Sequence, residues 1–307
     1  MILDTLTING LKWVHILKPD GKDIEYIKSI HPFHNLVLES IESPTFHPLF
    51  EEFEDHFFFV AHFPVIYRGW EKNDIVELDF LITKNSIVTV AYQDFKNLDE
   101  IIQDIRNNSD VRQHLNPKNS AILLHYIIDK LFSKLLSHLD VVEEKLDKIE
   151  ELIFKKGSKR IKIVEDISNA RMDILDFWRT VRPQQAVFST LSEKIKNLYD
   201  HSAEPYFIDL LNTEERIRNI VENQKETIES LHQTNESLMS GNTNNIISLL
   251  TIFSTIILPL NFIASIWGMN QSVMPLRDGP LDFWILISGM TALAILMLAV
   301  FRKIKWL

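Results

Sequence analysis

The chain contains no cysteine among its 307 residues, which excludes disulfides, thiolate zinc sites and cysteine nucleophiles together. It has neither a Walker loop nor a Gly-rich dinucleotide turn, so nothing in it calls for a nucleotide. A basic excess is missing as well. The net charge of −10 argues against nucleic acid, whose phosphates need a concentrated basic surface, and it fits a partner that is a cation. No nucleophile–base pair or metal-ligand constellation stands out, so an enzyme is not expected, and no cofactor is implied. There is no internal repeat or low-complexity segment. The composition, 46% apolar and 24% charged, is that of a chain that packs a core.

Charge is absent from two further places, and these are the most informative. Asn244–Trp267 and Phe283–Phe301 carry no charged side chain. Spans of about 20 residues match a hydrocarbon core of roughly 30 Å. Their position near the C-terminus excludes a cleaved signal peptide. The short loop between them opens with Gly268-Met269-Asn270 and has Arg277 as its only basic residue, whereas Arg302, Lys303 and Lys305 follow the second span. The positive-inside tendency therefore puts both termini in the cytoplasm of a multi-pass protein of the cell membrane.

The expected class is an α+β/α membrane protein in three parts: a cytoplasmic α/β domain over 1–116, a long helical stalk over 117–243 and a transmembrane hairpin over 244–307. In the first part, Phe57–Ala61, Phe63–Tyr67, Ile75–Thr83 and Ile87–Tyr92 are β-prone, with a turn at Lys84-Asn85-Ser86 and a helix over Leu98–Asn107. From about Asn119, apolar residues from Leu124 to Ile149 recur at three- and four-residue steps, the period of an amphipathic helix. Gly157-Ser158 breaks that helix. A second runs from about Arg160 to Tyr199 with an irregularity at Arg182-Pro183. A third begins after Pro205, and if it continues into the first span it exceeds 60 residues, roughly 90 Å. Such a length favours assembly over a monomer.

On a wheel of about 100° per residue, Asn244, Ser248, Thr251, Ser254, Thr255, Asn261 and Ser265 fall within roughly 140° of arc, together with Ile247, Leu258 and Phe262. Polar groups in hydrocarbon need partners or water. Helix–helix packing accounts for the serines and threonines alone. An asparagine near each end of one stripe points instead to a water-filled lumen lined by several copies, with Leu258 as an apolar girdle.

This stripe, followed directly by Gly268-Met269-Asn270, then Met274-Pro275, a second span and a basic Trp-Leu end, resembles the CorA family of divalent-cation channels. Thr243-Asn244 to Ser265, Pro205-Tyr206-Phe207 with Asp209, and Leu81–Asn85 look like family stretches in matching order. The resemblance implies a homopentamer with a cytoplasmic funnel. It makes Gly268, Met269 and Asn270 the selectivity filter, and Asn244, Thr251, Leu258 and Asn261 pore-lining. It gives Asp209 to a regulatory cation held between subunits, with Glu71 or Asp74 as candidate facing carboxylates. Magnesium is then both cargo and regulator, with cobalt or nickel as lesser substrates. The partners are divalent ions, membrane lipid and copies of the chain.

The loop departs from the typical magnesium pattern: Met274-Pro275 is followed by Leu276-Arg277 rather than an acidic residue, with Asp278 and Asp282 nearby. That keeps open a ZntB-like zinc transporter of the same superfamily. A reading of another class is a membrane-tethered coiled-coil scaffold. Other signals are read as structural. His31 and His34 flank Pro32-Phe33, which opposes a helix, and no carboxylate completes a metal set. Glu143-Glu144, Glu150-Glu151 and Glu214-Glu215 are taken as solvated faces, and Phe57-Phe58-Phe59 as a buried strand.

Overall fold

The computed structural model describes residues 2–8, 10–65, 74–115, 120–155, 160–199, 201–269 and 281–304. The chain divides into two compact units, Met1–His232 and Gln233–Leu307.

The first unit opens with strands β1 (Ile2–Ile8) and β2 (Leu11–Leu17), then short helices α1 (Gly21–Ile30) and α2 (Asn35–Ser40). Strands β3 (Leu49–Glu52), β4 (His56–Val65), β5 (Asp74–Thr83) and β6 (Ser86–Ala91) complete one sheet in the order β1-β2-β6-β5-β4-β3. Every neighbouring pair is antiparallel except β2 with β6. Gly10, at φ 90°, supplies the left-handed residue that the β1–β2 connection requires. The turn expected at 84–86 is tied by the Thr83 hydroxyl, which accepts the Ser86 N–H at 3.0 Å.

The run Phe57-Phe58-Phe59 shows why this sheet is covered on both faces. Successive side chains of a strand point to opposite sides. Phe57, Phe59, Ala61 and Phe63 enter one core, while Phe58 and Val60 enter the other. The smaller core lies under α1 and α2, with Ile27, Val37 and Ile41. The larger one packs against α3 (Lys96–Asn107), the long α5 (Ser120–Phe154) that follows the short α4 (Ser109–His114), α7 (Gln185–Leu198) and the start of α8 (Glu204–Gly268). With both faces buried, β4 reads as a near-continuous apolar run, whereas β5 also buries Glu77 and Asp79.

The long helices follow their apolar period. Leu124, Ile127, Ile128, Leu131, Leu135, Leu139, Val142, Leu146 and Ile149 of α5 are all buried. The expected irregularity falls where Pro183, which cannot donate an N–H, sits in a 3-10 turn (Arg182–Gln184) between α6 (Arg160–Val181) and α7. The C-terminal half of α5, the N-terminal part of α6 and the middle of α8 share a third cluster that includes Leu146, Ile167, Ile174 and Ile228. Gln224 holds α8 in register: its Nε2 donates to the Leu139 carbonyl at 2.9 Å and to Glu143 at 3.0 Å. Glu143, read as part of a solvated face, therefore also accepts a buried amide. The break at Gly157-Ser158 lies outside the described residues.

Helix α8 runs for 65 residues without interruption, through Pro259. The second long apolar helix is α9 (Asp282–Lys303). Both are long and apolar enough to cross a membrane. The elements expected from the sequence include none of β1, β2, β3, α1, α2 or α4, although β1 and β2 are apolar strands that pair locally on either side of Gly10.

Candidate functional site

From Asn244 to Gly268, α8 rises roughly 36 Å, enough to span a hydrocarbon core. Asn244, Thr251 and Leu258 recur every seventh residue, so they stand roughly 10.5 Å apart along the axis and drift only about 20° per step. These three and Asn261 are exposed in the single chain, and Leu258 is 68% exposed. Thr251 satisfies its own hydroxyl by donating to the Ile247 carbonyl at 2.8 Å. Pro259 has no N–H for the Thr255 carbonyl four residues back, which leaves an acceptor on the helix wall.

Gly268 closes α8, and the exposed Met269 donates its N–H to the Ile266 carbonyl at 3.1 Å. Asn270 lies outside the described residues, as do Met274-Pro275, Arg277 and Asp278.

Asp209 sits on α8 within the first unit, its side chain 66% exposed, and its Oδ2 is 3.6 Å from His125 Nε2 on α5. The His125 ring meets Tyr206 edge-on at 5.2 Å. Neither expected carboxylate partner can be placed: Glu71 is outside the described residues, and so is the side chain of Asp74. The residue that faces Asp209 within one chain is a histidine, and no spacing rule connects positions 125 and 209.

Five residues farther along α8, Glu214 is 2% exposed, and neither carboxylate oxygen has a partner among the described residues. Burial raises its pKa to about 7, against the opposing pull of the Arg218 charge. The expectation that Glu214-Glu215 is a solvated pair is corrected: Glu215 is exposed and Glu214 is not.

A cavity of 730 Å³ on the first unit is lined in part by Thr45, His62, Glu77, Tyr92 and Arg179. Glu77 accepts the Thr45 N–H at 2.7 Å and lies 3.3 Å from His62 Nε2. Asp79, on the same strand, is fully buried and accepts from the Tyr92 hydroxyl at 2.8 Å. Burial holds its carboxyl well above the usual range.

Residues 31–34 are not helical, as Pro32 implies. His34 instead caps α2, its Nδ1 accepting the Leu36 N–H at 3.3 Å. No carboxylate completes a set with His31 and His34 together among the described residues, but Asp55 lies 3.0 Å from His31 and 2.6 Å from His56. The adjacent Asp55-His56 was the only signal, and the sheet, not the sequence spacing, brings it to residue 31.

Residues 9–303 match the model of the family described as CorA-like Mg2+ transporter protein. The chain is 26% identical over 296 residues to the cobalt/magnesium transport protein CorA of Thermotoga maritima, covering 96% of this chain and 83% of that protein. It is 24% identical over 257 residues to the zinc transport protein ZntB of Vibrio parahaemolyticus, covering 80% and 72%. The complete structure of the CorA magnesium transporter from Methanocaldococcus jannaschii shares the fold, with a TM-score of 0.81 at 19% identity over 99% of this chain and 95% of that one.

Proposed function

The chain belongs to the CorA-like Mg2+ transporter family, and on that premise we propose that it conducts hydrated magnesium through a ring of five copies in the cytoplasmic membrane. Transport of divalent cations follows from the membership itself. The observation that carries the finer reading is the polar stripe of α8. One face of the apolar span of α8 repeats Asn244, Thr251 and Leu258 at seven-residue steps and carries its asparagines, serines and threonines. A face of this kind is covered at low cost by water in a lumen.

Magnesium holds its waters tightly and prefers octahedral oxygen coordination, so a conductor that passes the hydrated ion avoids a large dehydration cost. A ring of Asn270 amides accepts hydrogen bonds from those waters without trapping a double charge. Leu258 narrows the path, and such an apolar constriction closes by dewetting. A membrane potential supplies the drive, about 2.3 kcal/mol per charge per 100 mV, hence roughly 4.6 for a divalent ion. Both termini lie in the cytoplasm, and Asp209 takes a regulatory magnesium there.

The test is uptake into liposomes that hold the purified protein, with a magnesium-sensitive dye inside and a negative potential imposed. Magnesium enters with wild type and not with Asn270→Ala. The likeness to ZntB and the Arg277 that follows Met274-Pro275 favour a second reading, zinc transport coupled to protons. Zinc entry that needs a proton gradient, with magnesium excluded, selects it. If neither ion moves in an assembled sample, both readings fail and the scaffold replaces them.

A further inference from the structure

Two imidazoles converge on one carboxylate in the first unit, at residues that the transport reading does not use. His31, which follows α1, brings Nε2 to 3.0 Å from Asp55 Oδ2. His56, the first residue of β4, brings Nδ1 to 2.6 Å from Asp55 Oδ1. The three candidate ligand atoms all lie within 4.8 Å of one another. Zinc bonds of roughly 2.0–2.1 Å in tetrahedral geometry set ligand atoms about 3.3 Å apart. A small opening of the existing cluster therefore seats an ion.

The rings are held in place before any ion arrives. His56 is 3% exposed. Phe53 stacks on it with ring centres 4.6 Å apart, and Phe33 meets it edge-on at 5.1 Å. Phe33 also meets His31 edge-on at 5.0 Å. The Phe53 N–H donates to the His56 carbonyl at 3.0 Å and closes the turn that carries Asp55. The Asp55 side chain itself is 57% exposed, which leaves the outer side open to an arriving ion and its waters. The donor set decides the metal. Two imidazole nitrogens and one carboxylate oxygen suit zinc, cobalt or nickel, whereas magnesium prefers oxygen ligands and keeps its waters.

We propose that His31, Asp55 and His56 form a transition-metal site, completed by water, through which the soluble part of the protein binds zinc, cobalt or nickel rather than magnesium. Without the ion, His56 Nδ1 shares a hydrogen bond with Asp55 Oδ1, His31 Nε2 lies 3.0 Å from Asp55 Oδ2, and the His34 N–H donates to His56 Nε2 at 3.4 Å. Loading uses the lone pairs of His31 Nε2 and His56 Nδ1. At His56 the proton on Nδ1 moves to Nε2 as the metal bond forms, so the long His34 contact is given up.

The probe is cobalt(II) added to the metal-stripped full-length protein in detergent, with millimolar magnesium present to occupy oxygen-ligand sites, and visible absorption as the readout. One cobalt per chain gives d–d bands, and one equivalent of zinc displaces them. His31→Gln and Asp55→Asn each weaken binding by more than about tenfold, at least the loss seen when outer-shell partners of a metal are removed. His201→Gln, at an exposed histidine, keeps the bands. Because Asp55 is solvent-exposed, its variant tests the site even if a His56 variant does not fold. Zinc also raises the melting temperature of wild type and not of Asp55→Asn. Equal cobalt affinity in wild type, His31→Gln and Asp55→Asn, or no nitrogen-ligand spectrum in wild type, overturns the site and shows a hydrogen-bonded triad only. Since the readout is binding without flux, its failure is distinct from a failure of transport.

Discussion

Gln184 pairs with the backbone of His62 through both ends of its carboxamide. The His62 N–H donates to Gln184 Oε1 at 2.9 Å, and Gln184 Nε2 donates to the His62 carbonyl at 2.7 Å. Strand β3 pairs with β4 only over Phe57–Val60. Beyond its end the side-chain amide acts as a one-residue strand partner. The 3-10 turn at Pro183 is what puts Gln184 there.

Gln184→Ala leaves two buried backbone groups without partners. At about 1–3 kcal/mol for each, a loss of about 2–6 kcal/mol is expected in denaturant unfolding of the full chain in detergent. Gln184→Glu keeps the acceptor for the His62 N–H but sets a buried carboxylate oxygen against the His62 and Thr180 carbonyls, so at neutral pH it destabilises at least as much as Ala. A loss no larger than that of an exposed glutamine would reject the strand-partner role.

Glu214 makes stability depend on pH. Its folded pKa of about 7 exceeds the unfolded value of about 4.3, so the folded state binds more protons between the two. Stability is fully present below about 4.3 and is lost as pH rises through about 7. Glu214→Gln removes this slope and is expected to exceed wild type by about 3–4 kcal/mol at pH 8. Melting curves from pH 5 to 8 check it, and parallel curves for the two proteins would contradict the assignment.

Leu258→Asn replaces the apolar girdle with an amide that holds water. If closure is by dewetting, magnesium uptake rises several-fold under conditions that keep wild type closed. Unchanged or reduced uptake with normal assembly places the constriction elsewhere.

Asp209→Asn removes the exposed carboxylate proposed to hold a regulatory cation. The internal magnesium concentration that half-inhibits uptake is expected to move several-fold higher. An unaltered inhibition curve removes Asp209 from regulation. His125→Gln separates its neighbour's part: a shift there as well makes the histidine a positioning residue for Asp209.

By itself, the sequence determined the features whose signals are local or periodic. The two uncharged spans, the run of α5 and the irregularity at Pro183 all follow from helical period and from residues that break it, whereas the structure decided that α8 continues into the first span. The polar stripe is legible for the same reason, since 244, 251, 258 and 261 share a face of any helix. Tertiary structure alone decided what non-local pairing creates. It set β2 parallel to β6, brought Gln184 to His62, placed His125 beside Asp209 and buried Glu214 but not Glu215. It also assembled His31, Asp55 and His56 from two segments that no periodicity relates. These contacts depend on how a sheet and its helices close on one another, and that closure is driven by burial of apolar area, which is proportional to area and carries no direction in sequence.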